Sequence, residues 1–360
     1  MDADTKAKLE DESKKGLLYF SNCDEALEVF AELGGTIRED LHDINMQNVK
    51  APVIVSVVAL DGTKHKTKPV NTFYDDAEIK TAVLTAIGNL KYARTVYATK
   101  VRIPLAGWFT HDKAVRDAVD SFATGTKTIS IINFNFSSVA DALVELEKLG
   151  SKRLLAVPFY RKVWSVFEDK IIEKPYASII AGHIAYWDAQ LGEFGTCFDH
   201  ANRLIYDAGT PKIPLFYEEG EDTCDVNIIV NKGGCLVIND DGDRLYNFET
   251  SSDDTRFNKL ETVRYFDTHN ENLQKTLKRH KHRPLTEVLE LAKADTEAFL
   301  LKSKNAGATV GFGVEWSPKN TPAEISAGII YLDWDAGNNV GVRAIVIQPF
   351  ATSEYYTVEV

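Results

Sequence analysis

Helical and extended patterns alternate from residue 77 to residue 158, and this alternation constrains the fold more than any other feature of the chain. Ala77, Val83, Leu84, Ile87 and Leu90 predict a helix, and 95–101 a strand. Ala114, Val115, Ala118, Val119 and Phe122 predict a second helix, followed by a strand over 128–134. Ser138, with Asp141 three residues on, reads as a capping pair. Val139, Ala142, Leu143, Leu146 and Leu149 carry the next helix to Gly150, and 154–158 is the next strand. Strands alternating with helices of this size imply a largely parallel sheet with right-handed crossovers. The chain of 360 residues is long enough for two or three such cores.

The flanking regions read differently. Residues 1–15 alternate acid and lysine, with Leu9 the one large apolar side chain besides Met1. They predict a mobile arm or frayed helix. The N-terminus has no apolar core and does not read as a signal peptide. Residues 17–20 form a short strand, and Ser21 or Asn22 caps a helix carrying Ala26, Leu27, Phe30 and Leu33 to Gly34-Gly35. Ile37, Leu41 and Ile44 mark another helix. The apolar run 53–58 predicts a strand covered on both faces. Polar residues 61–72 and the acidic, Pro-bearing stretch 211–225 are expected boundaries. Between them a helix over 179–187 has the small residues Ala181, Gly182 and Ala185 on one side. Beyond 225, strands are expected at 226–230, 235–238 and 245–248, the last two joined by an Asp241-Gly242 type I′ turn. Two helices follow, one with Leu260, Val263, Phe266, Leu273 and Leu277, the other opening at Pro284 and ending at Gly307. Residues 342–347 and 355–360 read as closing strands.

Composition and motifs exclude several kinds of chemistry. A net charge of −12 argues against wrapping nucleic acid, and no apolar run reaches the length of a membrane helix. Cys23, Cys197, Cys224 and Cys235 form no CxxC pair and are expected to be free thiols. There is no P-loop, and Gly311-Phe312-Gly313 lacks a third glycine and a following helix. Asp240, Asp241 and Asp243 resemble half a calcium loop without its closing Glu. His183, Asp188, Cys197, Asp199 and His200 lie close in sequence but lack converging ligand spacing. Ser130, Ser137 and Ser138 are not in a nucleophile elbow, and no acid/base pair stands out. No catalytic, cofactor or metal site is therefore expected, and the chain does not read as an enzyme. The alternative is an α/β enzyme with its site at the strand C-termini of the middle region. One local sign reversal remains, Lys278-Arg279-His280-Lys281-His282-Arg283 between the last two helices. It is either a solvated loop that complements a helix C-terminus or a contact for one acidic partner surface.

The stretch from Asn320 to Asp335, Asn-Thr-Pro-Ala-Glu-Ile-Ser-Ala-Gly followed by Ile-Ile-Tyr-Leu-Asp-Trp-Asp, is a Pro-bearing turn, a Gly stop and a strand. It resembles the C-terminal signature of contractile phage tail sheath proteins, in particular the Mu-like branch, carried here by Asn320, Pro322, Ile325, Gly328 and Asp333. Gly34-Gly35-Thr36, the run 52–58, the string 151–158 with Val163-Trp164, and Ala181-Gly182, Asp188, Gly192, Phe194 and Asn202 match other parts of that pattern. The resemblance covers about residues 16–360.

It implies an α/β chain with a tail sheath-like fold: an α+β core domain plus an inserted α/β domain with a largely parallel sheet. A polar arm would span 1–15, the core 16–60 and 223–360, and the inserted outer domain 61–222. It further implies a non-enzymatic subunit that polymerises into a helical cylinder around a tail tube and contracts to drive the tube through the host envelope. Implied partners are copies of itself, the tube protein, and baseplate and tail terminator proteins, with no nucleic acid, membrane insertion, cofactor or metal. The implied location is a virion tail assembled in the host cytoplasm; the sheath of a bacteriocin or injection particle would look the same. Lys278, Arg279, Lys281 and Arg283 are the expected tube contacts. Tyr356, Val358 and Val360 share one face of the expected inter-subunit strand. Family members usually carry extended strands before the segment matching 17–20, where this chain has fifteen polar residues, so either a shortened arm or none is expected.

Overall fold

The computed structural model describes residues 3–58 and 76–342. The chain opens with α1 (Ala3–Glu10), a 3-10 turn and β1 (Leu17–Phe20). α2 (Cys23–Phe30) is capped as its sequence predicts, Asn22 Oδ1 accepting from the Glu25 amide at 2.9 Å. α3 (Ile37–Met46) leads to β2 (Val53–Ser56), which pairs antiparallel with β1, Leu17 opposite Ser56. Val53, Val55 and Val57 pack on one side with Leu18, Phe20, Phe30 and Leu41. Ile54 packs on the other with Leu17, Leu90 and Ala93, so this short strand is covered on both faces.

The middle of the chain is built on a parallel pair. α4 (Ala77–Asn89), the short α5 (Ala93–Tyr97) and α6 (Lys113–Thr126) precede β3 (Ser130–Asn133). α7 (Val139–Leu146) then crosses over to β4 (Leu154–Val157), which lies parallel to β3 with Ile131 opposite Leu155. Asp76, Asp112 and Ser138 cap the three longer helices through their side-chain oxygens. Parallel bridges extend the pair on both sides, Leu105 to Ile131 and Ala156 to Gly234. Residues 95–101, expected as a strand, instead finish α5 and turn at Ala98, whose φ is 52°. The neighbour of β3 on that side is Leu105, whose segment has Pro104 and lacks regular strand pairing.

β5 (Arg161–Ser165) and β6 (Lys170–Lys174) form a hairpin. α8 (Ala177–Gln190) follows, and the two-residue β7 (Thr210–Pro211) joins the other edge of β5. α8 crosses α3 closely at Gly182, where a Cβ would stand 3.0 Å from Ile44 Cα and 2.9 Å from Gln47 Cγ. The small residues of the 179–187 run thus serve a helix crossing. Residues 226–230, expected as a strand, lie in α9 (Asp225–Asn231), with Val226 and Ile229 buried at helical spacing. An apolar run this short fits either period, and packing decides. β8 (Val237–Asn239) and β9 (Asp243–Leu245) form the expected hairpin, with φ of 51° at Asp241 and 106° at Gly242.

Two buried layers sandwich β3 and β4. Ile132, Leu154 and Ala156 face α4, α6, α7 and α9. Ile131, Leu155 and Val157 face α8 together with Cys235, Val237, Leu245, Phe248 and Leu260. The chain therefore crosses residue 222 without leaving this core.

α10 (Leu260–Leu277) and α11 (Leu285–Asn305) pack against each other and carry a two-stranded ribbon. Its strands are β10 (Thr309–Trp316) and, after the short α12 (Pro322–Ser326), β11 (Leu332–Asn338), paired antiparallel. Trp334 and Ala336 of β11 rest on Phe194, Tyr265, Phe266 and Phe299. Among the described residues no helix is long and apolar enough to cross a membrane.

Candidate assembly surfaces

The stretch 320–335 is a closed turn that delivers β11 to β10. Asn320 grips the far side of the turn twice: its Nδ2 donates to Tyr331 O at 2.8 Å, and its Oδ1 accepts from the Tyr331 amide at 2.7 Å. The side chain thus imitates one rung of a β-ladder. Thr321 Oγ1 accepts from the Glu324 amide at 3.3 Å and Pro322 occupies the first turn of α12, where a missing N–H costs nothing. Gly328, at φ 79°, closes the helix: its amide donates to Ile325 O and the next amide to Glu324 O, both at 3.0 Å. Ile325 is half-buried and Asp333 is exposed on β11. The motif residues therefore act as turn chemistry, and their product is the orientation of the ribbon. Gly311, Phe312 and Gly313 lie inside β10, paired with Gly337, Ala336 and Asp335.

That ribbon is the most open piece of backbone in the C-terminal region. Among the described residues no third strand joins either edge of the β10–β11 pair. Such edges accept added strands. Tyr356, Val358 and Val360, the expected inter-subunit strand, lie outside the described residues, as do 343–347 and the 61–72 boundary.

The basic run forms the 3-10 turn Lys278–His280 and the loop into α11. All four expected contact residues, Lys278, Arg279, Lys281 and Arg283, are exposed. They are not equivalent. Arg279 Nε donates to Asp295 Oδ2 at 3.0 Å, and the buried His280 reaches the same oxygen at 2.5 Å. Arg283 pairs with Glu287 at 2.6 Å, one turn on. Two of the four cations are thus partly neutralised within the chain. One turn before the run, Lys275, Arg102 and Lys100 surround Glu271 at 3.0, 2.7 and 3.0 Å. Glu271 is partly buried, but these three donors hold its carboxyl down at about 2. Three cations around one acid extend the positive surface along α10, with nothing in the local sequence pairing Lys100 and Arg102 with it.

The residues with tempting chemistry are engaged within the chain. His183 Nε2 meets His200 O at 3.1 Å, and His200 Nε2 donates to Asp188 Oδ1 at 2.7 Å. Asp188 also pairs with Arg264. Burial pushes His183 down to about 4 and lowers His200, so neither offers a charged imidazole near neutrality. Burial pushes the Cys197 thiol up to about 11, away from a reactive thiolate. The Asp240–Asp243 stretch is the tip of the β8–β9 hairpin.

The sequence reading missed a buried ionic junction between α3 and the β5–β6 hairpin. Arg161 is fully buried and pairs with Asp43 at 2.5 Å. Lys174 bridges Asp43 at 2.6 Å and Glu39 at 3.0 Å, and Ser165 donates to Glu39. Trp108 Nε1 donates to Asp40 at 3.0 Å, and Ser178 Oγ donates to the same oxygen. Burial pushes Asp40 up to about 7, the neighbouring charge of Asp43 adding to it against these two donors. Asp43 is buried more deeply still, yet Arg161 and Lys174 outweigh the burial and hold it at about 2. His42, Asp43 and Asp207 bring ligand-type atoms within 4.8 Å of one another, but the cations on Asp43 occupy the place a metal would need. The one local signal is that Glu39 and Asp43, four residues apart, share a side of α3.

No protein-family model matches the chain. A curated protein of Pseudomonas aeruginosa (strain UCBPP-PA14), "Putative prophage major tail sheath protein", is 27% identical over 251 residues, 69% of this chain. The match spans 64% of that relative's length. Among solved structures, a chain of the anti-feeding prophage baseplate superposes with a TM-score of 0.69 at 14% identity, covering 95% of this chain and 89% of that one. The contracted helical sheath of the same particle gives 0.68 at 14% identity over 95% and 90%. The contracted sheath complex of PVC, an extracellular contractile injection system, gives 0.67 at 11% identity over 94% and 87%. The chain has the fold of the contractile sheath proteins, and its sequence likeness is to a tail sheath protein of a prophage.

Proposed function

We propose that this chain is a structural subunit of a contractile sheath. It polymerises into a helical cylinder around a tail tube, and contraction of the cylinder drives the tube through a host envelope. The observation that supports this most is the sheath fold over 95% of the chain. The open β10–β11 ribbon supplies a mechanism, since a strand from another copy would complete it. The role is structural rather than catalytic, with copies of itself, the tube, and baseplate and terminator proteins as partners. The particle is assembled in the host cytoplasm and resides in a tail. One structural neighbour named above as a sheath belongs to an extracellular contractile injection system, which keeps a non-phage particle as the second reading. In the proposed division, 16–60 and 223–360 form the core and 61–222 the inserted outer unit, with 235–248 packed against it.

Assembly is tested by negative-stain microscopy of the purified chain. Long striated tubes are expected from the full chain, and a folded monomer from a truncation after Thr352, which removes Tyr356, Val358 and Val360. Tubes from the truncated chain would show that strand donation by this end is not the mechanism.

The tube contact is proposed at Lys278, Arg279, Lys281 and Arg283, meeting an acidic surface. Exposed pairs contribute only about 0–1 kcal/mol each, and repetition around each ring adds them up. Because Arg279 and Arg283 already have partners, the effect should fall mainly on the lysines. The K278Q/K281Q variant is expected to co-sediment less with tubes, and wild type to lose binding as salt rises. Binding indifferent to salt and to both substitutions would return the run to a solvated loop.

A further inference from the structure

The last described residues are fastened to the head of α10 and to the turn before β10. Asn338 Nδ2 donates to Thr262 Oγ1 at 2.9 Å. The Asn339 amide donates to Ala308 O, and its side chain to Gly307 O, both at 3.0 Å. Gly341 is then enclosed by charged groups from two separate parts of the chain. From the head of α10, Lys259 Nζ donates to Gly341 O at 3.3 Å, and the Glu261 carboxyl accepts from the Gly341 amide. From the segment after α8, Asp199 closes the opposite side. A Cβ built on Gly341 would meet Asp199 Oδ2 at 2.5 Å, so this contact admits glycine alone without a shift. Asp199 is itself oriented by the Ala201 amide, which donates to its Oδ1 at 2.8 Å. One residue later, Val342 is 81% exposed.

We propose that Asp199 and Glu261 form a carboxyl clamp on Gly341, closed while Glu261 keeps its proton and opened when it ionises. A negative charge beside a buried carboxyl disfavours its ionised form. Glu261 is 2% exposed; burial and then the charge of Asp199 push it up to about 7, against the pull of Lys259 and the Gly341 amide. Among the described residues Lys259 is the cation that acts on Glu261, and Glu249 lies across a backbone bridge from it. His200, next to Asp199, is turned away onto Asp188. Above neutrality the clamp therefore holds two negative charges against one positive. Movement of Gly341 away from Asp199 relieves the repulsion without unfolding α10. In the sheath reading, this frees the root of the segment that pairs with a neighbouring copy. That consequence rests on the proposed function, whereas the clamp itself does not.

Amide hydrogen exchange on the full chain, kept monomeric by dilution and normalised for intrinsic rates, separates the two. Protection at Asn339 and Gly341 is expected to fall about tenfold between pH 6 and pH 8.5, while Ile131 in β3 keeps its protection. E261Q retains the acceptor and removes the titration, so its protection at these amides should be flat across the range. D199N removes the facing charge but not the burial, so its protection should fall less than that of wild type. Unchanged protection in wild type across this range overturns the clamp, as does an equal fall in both variants. Tube formation at pH 6 and 8.5 is scored separately: a clamp that opens without altering assembly leaves the exchange result standing and removes only its role in the sheath.

Discussion

Replacing Arg161 with alanine is expected to destabilise the chain by about 3–5 kcal/mol, the cost of leaving a buried charge without its partner. Arg161 is fully buried, pairs with Asp43 at 2.5 Å, and donates through Nη1 to Asp207 O. Its loss leaves Asp43, Glu39 and Asp40 facing Lys174 as the one remaining cation of the junction. The junction also lies where α3 meets the body through the close crossing at Gly182. Damage there should loosen the N-terminal lobe as a unit. The urea midpoint of R161A should drop well below that of wild type, and exchange of the α2 and α3 amides should rise ahead of β3 and β4. The double variant R161M/D43L, which removes both charges, should recover much of the loss, since a buried pair replaced by apolar groups is often near neutral. A midpoint for R161A within experimental error of wild type would mean that Lys174 alone satisfies the acids.

Asp40 should contribute stability that is lost as pH rises through 7. Its folded-state value, about 7, lies above that of a free carboxyl. Between about pH 4 and 7 Asp40 therefore keeps a proton in the folded chain that it gives up in the unfolded one, and its contribution falls with rising pH across that window. Each unit of separation corresponds to about 1.4 kcal/mol, so the decline should reach a few kcal/mol. Glu261 acts in the same direction, its value raised to about 7. Asp43 acts in the opposite direction at the acid end. Held at about 2, it contributes stability that is complete above the free carboxyl value and lost as pH falls towards 2. His183, pushed down to about 4 by burial, and the lowered His200 and His269 act against this below their free value, so the Asp40 contribution is read as a difference between variants. Between pH 5 and pH 8 the urea midpoint of wild type should fall relative to that of D40N, and further relative to that of D40N/E261Q. Equal slopes in wild type and the double variant would place the titrating groups elsewhere.

Much of this protein is written locally. The caps Asn22, Asp76, Asp112 and Ser138, the Asp241-Gly242 turn and the Asn320–Gly328 motif all act within a few residues, so sequence alone determines them. The alternation of helix and strand over 128–158 determines a parallel pair, because the crossover helix leaves no other short route back. The stretch 320–335 led correctly to the contractile sheath fold. What tertiary structure alone decided involves choices that local chemistry leaves balanced. The run 226–230 has enough apolar residues for a strand, and it is a helix because Val226 and Ile229 fill a layer against β3 and β4. Residues 95–101 have strand propensity, but Tyr97 OH donates to Leu17 O across the chain and Ala98 turns the backbone away. The basic run was visible, but its internal neutralisation by Asp295 and Glu287 was not marked by composition. Least legible was the junction of Glu39, Asp40 and Asp43 with Arg161 and Lys174. Its partners are more than a hundred residues apart, and charged residues on a helix face look the same in sequence whether water or a buried guanidinium meets them.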